Sequence, residues 1–240
     1  MQGTKGFVSW WRDFLAEIST TPNAQCALNV VEGEARELDF DFYSYAVKQG
    51  TPFTQPKMEI RGNYPAAWLD RYQSKNYGAT DPTIAIGVSA STFVVWSQDV
   101  KEKHPMLFRE AEEWGLKFGA TLTIIGVGNT TRMLSFARRD KDIQDAHIAE
   151  LELRMNCVLA ALTRRLNTLE SSGERAPISL SFRETEILKW TADGKSTDEV
   201  AIILSISINT VNFHIKNIQK KFGACNKLSA AAQAAAWRLI

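Results

Sequence analysis

The stretch "SINTVNFHIKNIQKKFG", residues 207–223, decides how the C-terminal part of the chain folds. The face opposite its apolar residues carries amide, hydroxyl and lysine side chains and no acidic residue. Such a face suits a polyanionic partner, although a merely solvated surface has the same composition. Apolar side chains recur at spacings of three and four, which predicts a helix with one buried face: Ile208, Val211, Ile215, Ile218 and Phe222.

Helix-start signals surround this stretch. Ser181 and Ser196 are each followed three residues later by a glutamate, which is the pattern of a capping box. Ser207 is placed to begin the quoted helix, and Asn226 to begin a final Ala-rich helix that runs to Ile240. Only residues 205–207 separate the second helix from the third. We therefore predict an all-α domain of four helices that contains a helix-turn-helix.

The polar residues of the third helix suggest specific contacts if the partner is double-stranded DNA. Lys220 and Lys221 suit phosphate groups, because a lysine ammonium supplies charge without reading sequence. Asn212 and Lys216 lie in the N-terminal half, from which side chains can reach base edges in the major groove. We interpret His214 as a neighbouring backbone contact or an exposed residue.

Charge and cysteine content limit the possible classes of protein. The net charge is +1, but residues 176–240 carry eight Lys/Arg against five Asp/Glu, and residues 1–175 carry twenty against twenty-two. A polyanion partner is thus expected for the C-terminal part alone. Three widely separated cysteines argue against a disulfide framework and favour the cytoplasm. No apolar run approaches the roughly 18 residues of a membrane span, so no membrane association is expected.

The stretch "NTLESSGERAPISLS" (167–181) is rich in Ser, Gly, Pro and charge and is typical of a linker. We place an N-terminal domain at 1–167, the linker at 168–177 and the C-terminal domain at 178–240. The N-terminal part has strand patterns at 40–47, 57–62, 92–97, 120–128 and 132–138, with a hairpin turn at 129–131. Helical patterns fall at 4–20, 23–38, 65–76, 104–117 and 145–169. This order predicts an α+β chain whose N-terminal domain is an α/β/α sandwich with a mainly antiparallel sheet.

The helix predicted at 145–169 allows two interpretations. Its apolar residues recur in steps of three and four from Ile148 to Leu169. The helix can pack on its own sheet, or the near-heptad stripe can pair with a second helix and support self-association. The sequence leaves both open.

Residues 40–118 hold fourteen of the chain's twenty-four aromatic residues. Tyr64, Trp68 and Tyr72 are spaced four apart and form one stripe, followed by Asp81 and then Trp96. Ordinary core is one explanation. The alternative is a pocket, because each of these rings has a polar group that needs a partner when buried, and a buried aspartate is costly without hydrogen bonds. The set suits a small amphiphilic ligand with an amide and a carbonyl group.

The segment "LSFRETEILKWTADGKSTDEVAIILSISINTVNFHIKNIQKKFGACNK" resembles the DNA-binding domain of LuxR-type transcription regulators. The resemblance implies framework roles for Glu184, Leu188 and Gly194. It implies DNA contacts at Thr210, Asn212, Lys216, Lys220 and Lys221. The segments "FDFYSYAV", "TPFTQPK", "NYPAAWLDRYQSKNYGATDP", "VVW", "EWGLKFGATLTI" and "LSFAR" resemble the autoinducer-binding domain of acyl-homoserine-lactone receptors in the same family.

That second resemblance implies a ligand site formed by Tyr64, Trp68, Tyr72, Asp81, Trp96, Phe108, Trp114, Thr121 and Ser135, with Gly119 in its wall. In the family, the residue matching Trp68 donates to the lactone carbonyl. The residue matching Asp81 accepts from the ligand amide, and those matching Tyr64 and Ser135 bind the acyl carbonyl. Two positions depart from the family: Lys101 stands where an aromatic residue is common, and Phe108 where a tryptophan is usual. Apolar candidates for an acyl-chain tunnel are Val47, Ile60, Leu69, Val95, Leu107 and Ile124.

The resemblance implies a quorum-sensing transcriptional regulator without a cofactor. It would bind an acyl-homoserine lactone of short or medium chain, form a homodimer on a two-fold-symmetric site in double-stranded DNA, and activate transcription with RNA polymerase. An orphan or partner-regulated member of the family is the alternative. A phosphorylation-driven response regulator is disfavoured, because it needs an acidic cluster in a parallel βα receiver. An enzyme is disfavoured too: "GVGNTT" and "DGKS" lack glycines of nucleotide-binding loops, and the histidines are dispersed.

Overall fold

The computed structural model describes residues 6–51, 56–85, 91–171 and 178–240. These residues divide into two compact units. The first is built from residues of the N-terminal part. The second comprises residues 178–240, together with the short segments 48–51, 56–57 and 126–130. The two units are described separately.

The first unit alternates between helices and strands in an order close to the expected one. Its helices are α1 (Phe7–Thr20), α2 (Ala24–Glu37), α3 (Ala66–Ser74), α4 (Pro82–Ala85), α5 (Gln98–Lys103), α6 (Pro105–Glu113) and α7 (Asp145–Ser171), with a 3-10 turn at Tyr77–Ala79. Its strands are β1 (Phe42–Lys48), β2 (Met58–Gly62), β3 (Ser91–Val95), β4 (Phe118–Ile125) and β5 (Thr131–Arg138). Residues 4 and 5 of the first predicted helix lie outside the described residues.

Within the described residues the strands form one five-stranded sheet in the order β2-β1-β5-β4-β3. Strands β3 and β4 are antiparallel, and so are β4 and β5. Because side chains alternate across a strand, neighbouring residues enter different cores. Tyr43, Leu122 and Leu134 pack against α1, α2 and α7, whereas Phe42 and Trp96 pack on the other face against α3, α5 and α6. The predicted α/β/α sandwich with an antiparallel sheet is confirmed.

Helix α7 packs on its own sheet. Its stripe residues Leu151, Met155, Val158 and Leu162 are all buried in the core beneath the sheet. These side chains are therefore not available to pair with a second helix. The helix continues to Ser171, so the first four residues of the predicted linker are helical. The rest of that linker, 172–177, lies outside the described residues.

The helix predicted at 104–117 is α6, which is shorter and ends at Glu113, and α5 immediately before it was not anticipated. His104 has φ −141° and ψ 61° and separates α5 from α6. Pro105 explains the break, because its ring keeps the preceding residue out of the helical region and removes a backbone donor. The short helix α4 was not anticipated. The β4–β5 hairpin is present, but its connection includes a 3-10 turn at Val127–Asn129, earlier than the predicted turn.

Within residues 178–240 the second unit has four helices: α8 (Phe182–Ala192), α9 (Thr197–Leu204), α10 (Ile208–Phe222) and α11 (Lys227–Ala236). Ser181 and Ser196 both form complete capping boxes, and Ser207 and Asn226 cap the other two helices. Helix α11 ends at Ala236 and not at Ile240, because Arg238 adopts a left-handed conformation with φ 55°. The four-helix prediction is confirmed.

Candidate ligand pocket and nucleic-acid interface

A cavity of about 70 Å³ lies in the first unit, between one face of the sheet and helices α3 and α6. A single buried water needs about 10–15 Å³ on the same measure, so the cavity is several times larger than a hydration site. Eight of the nine residues predicted for the ligand site line it: Tyr64, Trp68, Tyr72, Asp81, Trp96, Phe108, Thr121 and Ser135. The aromatic-rich segment therefore lines a cavity as well as forming part of a buried core.

Helix α3 supplies the aromatic stripe. Trp68 is only 3% exposed, and its ring meets those of Tyr72 and Tyr77 with centroid separations of 5.9 and 6.2 Å. Tyr64 lies just before the helix, packed edge-on against Phe42 at 6.3 Å. The spacing of four places Trp68 and Tyr72 on one side of the helix, and Tyr64 reaches the same cavity from the residues before it.

Asp81 is held by hydrogen bonds from two elements. The Tyr72 hydroxyl donates to Asp81 Oδ2 over 2.7 Å. The Thr83 backbone N–H and hydroxyl donate to Asp81 Oδ1 over 2.8 and 2.7 Å, so that Asp81 caps helix α4. Burial and the nearby Asp81 carboxylate raise the pKa of Tyr72 well above its usual value. A carboxylate has about four acceptor positions, and these three bonds leave one for another donor.

Trp96, Thr121 and Ser135 form a hydrogen-bonded chain along the floor of the cavity. Trp96 Nε1 donates to Thr121 Oγ1 over 3.0 Å, and Thr121 Oγ1 lies 2.9 Å from Ser135 Oγ. Thr121 and Ser135 are directly opposed in the β4–β5 register. A Cβ on Gly119 would lie 2.8 Å from the Trp96 ring, so the glycine allows the indole to lie against the strand.

One buried donor at the cavity lacks a partner among the described residues. The Tyr64 hydroxyl is fully buried and makes no hydrogen bond there. Burial first, and then the Asp81 charge, raise the pKa of Tyr64, and nearby Ser135 offsets part of the rise. A buried polar group without a partner costs about 1–3 kcal/mol, so this hydroxyl is suited to a bound acceptor. The Trp68 side chain lines the same cavity.

Trp114 corrects the prediction of the site. It is 39% exposed and does not line the cavity. Helix α6 ends at Glu113, and Gly115 turns the chain with φ 85°. This turn carries Trp114 outward and places Leu116 in the wall instead.

The two departures from the family pattern have different consequences. Lys101 is not part of the cavity wall: its ammonium contacts Glu112 Oε1 at 2.7 Å and the Lys117 carbonyl at 2.8 Å. Phe108 does line the cavity and meets the Trp96 ring edge-on at 5.9 Å.

Three of the six residues predicted for an apolar tunnel line the cavity, and three do not. Ile60, Leu69 and Leu107 line the cavity. The other three candidates pack against the core on the opposite face of the sheet: Val47, Val95 and Ile124. Sequence reasoning also missed lining residues that have readable signals. Ser44 lies two residues after Phe42 and so on the same face of β1, and Thr83 follows Asp81 in an Asx-type turn.

Helix α10 presents the candidate nucleic-acid interface. Its buried residues Val211, Ile218 and Phe222 face the core of the second unit. Four predicted contact residues are exposed on the rest of the helix: Thr210, Asn212, Lys216 and Lys220. The Thr210 hydroxyl shares a 2.8 Å hydrogen bond with the N-cap Ser207.

Lys221 differs from the other predicted contacts. Its ammonium lies 2.7 Å from Glu184 Oε2 and 2.8 Å from the Ser179 carbonyl oxygen. Burial alone would raise the pKa of Glu184, but Lys221 and the Ser181 backbone N–H together keep it below its usual value. Lys221 therefore joins α10 to the start of α8, a structural role that the sequence did not predict.

Comparison with known proteins also divides the chain into an N-terminal part, which contains the cavity, and a C-terminal part, which contains helix α10. Residues 24–166 match the family described as "Autoinducer binding domain", and residues 178–234 match "Bacterial regulatory proteins, luxR family". The chain is 49% identical over 241 residues to the HTH-type quorum-sensing regulator RhlR of Pseudomonas aeruginosa, covering 100% of both chains. It is 37% identical to the regulatory protein SdiA of Escherichia coli, covering 98% of this chain and 99% of SdiA.

A crystal structure of Escherichia coli SdiA has a TM-score of 0.84 to this fold and covers 98% of this chain and 99% of its own. A second structure, of SdiA in complex with octanoyl-rac-glycerol, has a TM-score of 0.81, covering 99% of this chain and 97% of its own. These matches define a bacterial transcription regulator with an autoinducer-binding domain and a helix-turn-helix DNA-binding domain, and not an enzyme. The chain belongs to the LuxR family. Among the described residues, no helix is both long and apolar enough to cross a membrane.

Proposed function

We propose that the cavity binds an N-acyl-homoserine lactone with a short or medium acyl chain. The observation that carries this proposal is the unpaired Tyr64 hydroxyl, which is buried at the same cavity as the Trp68 indole and the Asp81 carboxylate. A homoserine lactone has one amide N–H, one amide carbonyl and one ring carbonyl. The Asp81 carboxylate can accept from the amide N–H, and the Trp68, Tyr64 and Ser135 side chains can donate to the two carbonyl groups.

Each polar group of the lactone has a counterpart at the cavity. The ligand N–H takes the remaining acceptor position of Asp81. The ring carbonyl accepts from Trp68, and the acyl carbonyl accepts from Tyr64. With Thr121 donating to Ser135, the Ser135 hydroxyl is free to donate to the same acyl carbonyl. Leaving any one of these unmatched would cost about 1–3 kcal/mol, which is about tenfold to a hundredfold in affinity.

The acyl chain occupies the apolar part of the cavity, beside Ile60, Leu69 and Leu107. A cavity of about 70 Å³ does not hold a long chain without movement of its walls. This size favours a short or medium chain. The side chains of Phe108 and Leu116 limit the same space.

Ligand binding then favours DNA binding. A ligand that binds only the folded protein stabilises it by mass action, by about 2.7 kcal/mol at a concentration of 100 Kd. A homodimer presents two α10 helices to successive major grooves of a two-fold-symmetric site. Thr210, Asn212, Lys216 and Lys220 contact that DNA, and the bound regulator activates transcription with RNA polymerase in the cytoplasm.

A thermal-shift assay with a panel of lactones tests the ligand. We expect the melting temperature to rise most with short and medium chains and to rise less for Asp81→Ala. Octanoyl-glycerol belongs in the panel, because SdiA has been solved with it and because it lacks the amide N–H that Asp81 would accept. If no lactone raises the melting temperature, the proposal fails, and an orphan or partner-regulated member of the family becomes the better description.

A further inference from the structure

Phe213 is an exposed aromatic residue on helix α10. Its side chain is 61% exposed, although the helix already buries Val211, Ile218 and Phe222. At about 100° per residue, Phe213 lies about 200° around the helix from Val211, which is opposite the core. The ring therefore contributes nothing to the core of the second unit.

The surroundings of Phe213 are polar and basic. Residues three, four and seven positions away share its stripe: Asn209, Lys216, Asn217 and Lys220. Helix α10 has no acidic residue between Ile208 and Phe222. A single exposed apolar residue needs no explanation by itself. Here, however, it stands at the centre of the face whose charge complements a nucleic acid.

We propose that Phe213 is a specificity-determining residue that contacts the C5-methyl group of a thymine in the major groove. This rests on the proposed binding of DNA by α10. The thymine methyl is the apolar group that base edges present in the major groove, and phenylalanine is among the side chains that contact it.

The position of the thymine follows from helix geometry. Side chains three residues apart on a helix start about 5–6 Å from one another, and base pairs are stacked about 3.4 Å apart. Phe213 and Lys216 are three residues apart. The thymine therefore lies within about two base pairs of the base that Lys216 reads.

Deoxyuridine substitution tests this contact, because it removes the thymine methyl and leaves the base-pair hydrogen bonds unchanged. Sites are first selected from a random duplex pool by the full-length protein with the acyl-homoserine lactone that raises its melting temperature most. Each thymine of the selected site is then replaced singly by deoxyuridine. We expect one position per half-site to weaken binding about fourfold, because a methyl-sized group contributes roughly 0.8 kcal/mol when buried.

Variants identify the side chain responsible. Phe213→Ala should bind the thymine and deoxyuridine sites equally, and Phe213→Leu should keep part of the difference. Ile202→Ala is the matched control, since Ile202 is an apolar residue 79% exposed on α9 and off the α10 face. It should keep the full fourfold difference. Melting temperatures of all three variants should equal that of the wild type.

The outcomes separate this inference from the proposed function. Failure to select any DNA would overturn both. Selection of a defined site that binds equally well with deoxyuridine at every thymine would overturn only the role of Phe213. So would a selected site without a thymine near the Lys216 contact, or a Phe213→Ala variant that keeps the fourfold difference.

Discussion

The Tyr72 hydroxyl donates to Asp81 Oδ2 over 2.7 Å and joins helix α3 to the residue that caps α4. Both residues line the cavity, so this bond fixes the carboxylate that the proposed ligand would contact. Thr83 holds the other carboxylate oxygen through two further bonds. The site is therefore largely organised before a ligand arrives.

Tyr72→Phe should destabilise the ligand-free protein. The variant removes a hydrogen bond to a charged acceptor, and we expect the free energy of unfolding to fall by about 1.5 kcal/mol, since water can replace the lost donor at half-buried Asp81. Denaturant unfolding measures the change. Tyr77→Phe is the comparison variant, because the Tyr77 hydroxyl interacts with half-buried Glu110, whose two oxygens keep their hydrogen bonds from Arg71. We expect its loss of stability to be smaller. Equal losses in the two variants would contradict the special role of the Tyr72 bond.

Tyr64→Phe should have the opposite effect on the ligand-free protein. The Tyr64 hydroxyl is buried without a partner among the described residues, so its removal should raise the free energy of unfolding by about 1 kcal/mol. The same variant should bind a lactone about tenfold to a hundredfold more weakly, because the ligand carbonyl loses a donor. Unfolding of ligand-free protein and a lactone titration measure the two effects. A loss of stability without ligand would show that Tyr64 has an internal partner.

Gly119→Ala should disturb the cavity floor. The added Cβ would lie 2.6 Å from the Phe136 carbonyl oxygen and 2.8 Å from the Trp96 ring. We expect a loss of about 1–3 kcal/mol in stability, as for other overpacked cores, and weaker ligand binding because the indole must move away from Thr121. Gly33→Ala is the matched control: no atom lies within 4 Å of its added Cβ, and its helical site should gain about 0.5–1 kcal/mol. Thermal unfolding compares the two, and equal effects would refute the close contact.

The features that the sequence predicted well are local ones. The Ser181 and Ser196 capping boxes depend on residues three apart, and strand β1 was predicted from a continuous local sequence pattern. Residues of the cavity were found because a family resemblance supplied what local patterns cannot. Period-two alternation assigns Ile124 and Thr121 to opposite faces of β4, but does not say which face contains the cavity.

The features that the sequence missed depend on distant contacts or on where a helix stops. Trp114 does not line the cavity as predicted, because α6 ends at the residue before it and Gly115 redirects the chain. The partner of Lys221 is Glu184, 37 residues away in sequence, and no spacing rule connects them. Two neighbouring lysines that look equivalent in the sequence therefore have different environments.

Lys220 and Lys221 should consequently respond differently to substitution by alanine. Lys220 is exposed on the stripe opposite the core and is free to neutralise a phosphate, so Lys220→Ala should reduce the slope of log affinity against log salt by about 0.9 per protomer, with unchanged stability. Lys221→Ala should chiefly destabilise the second unit, because it leaves the buried Glu184 carboxylate without its cation. DNA titrations at several salt concentrations and hydrogen exchange in α8 measure the two effects. Lys221→Gln, which keeps a donor but not the charge, should restore part of the protection in α8. Lys221 would instead be a phosphate contact if Lys221→Ala left hydrogen exchange in α8 unchanged and reduced the slope of log affinity against log salt as much as Lys220→Ala does.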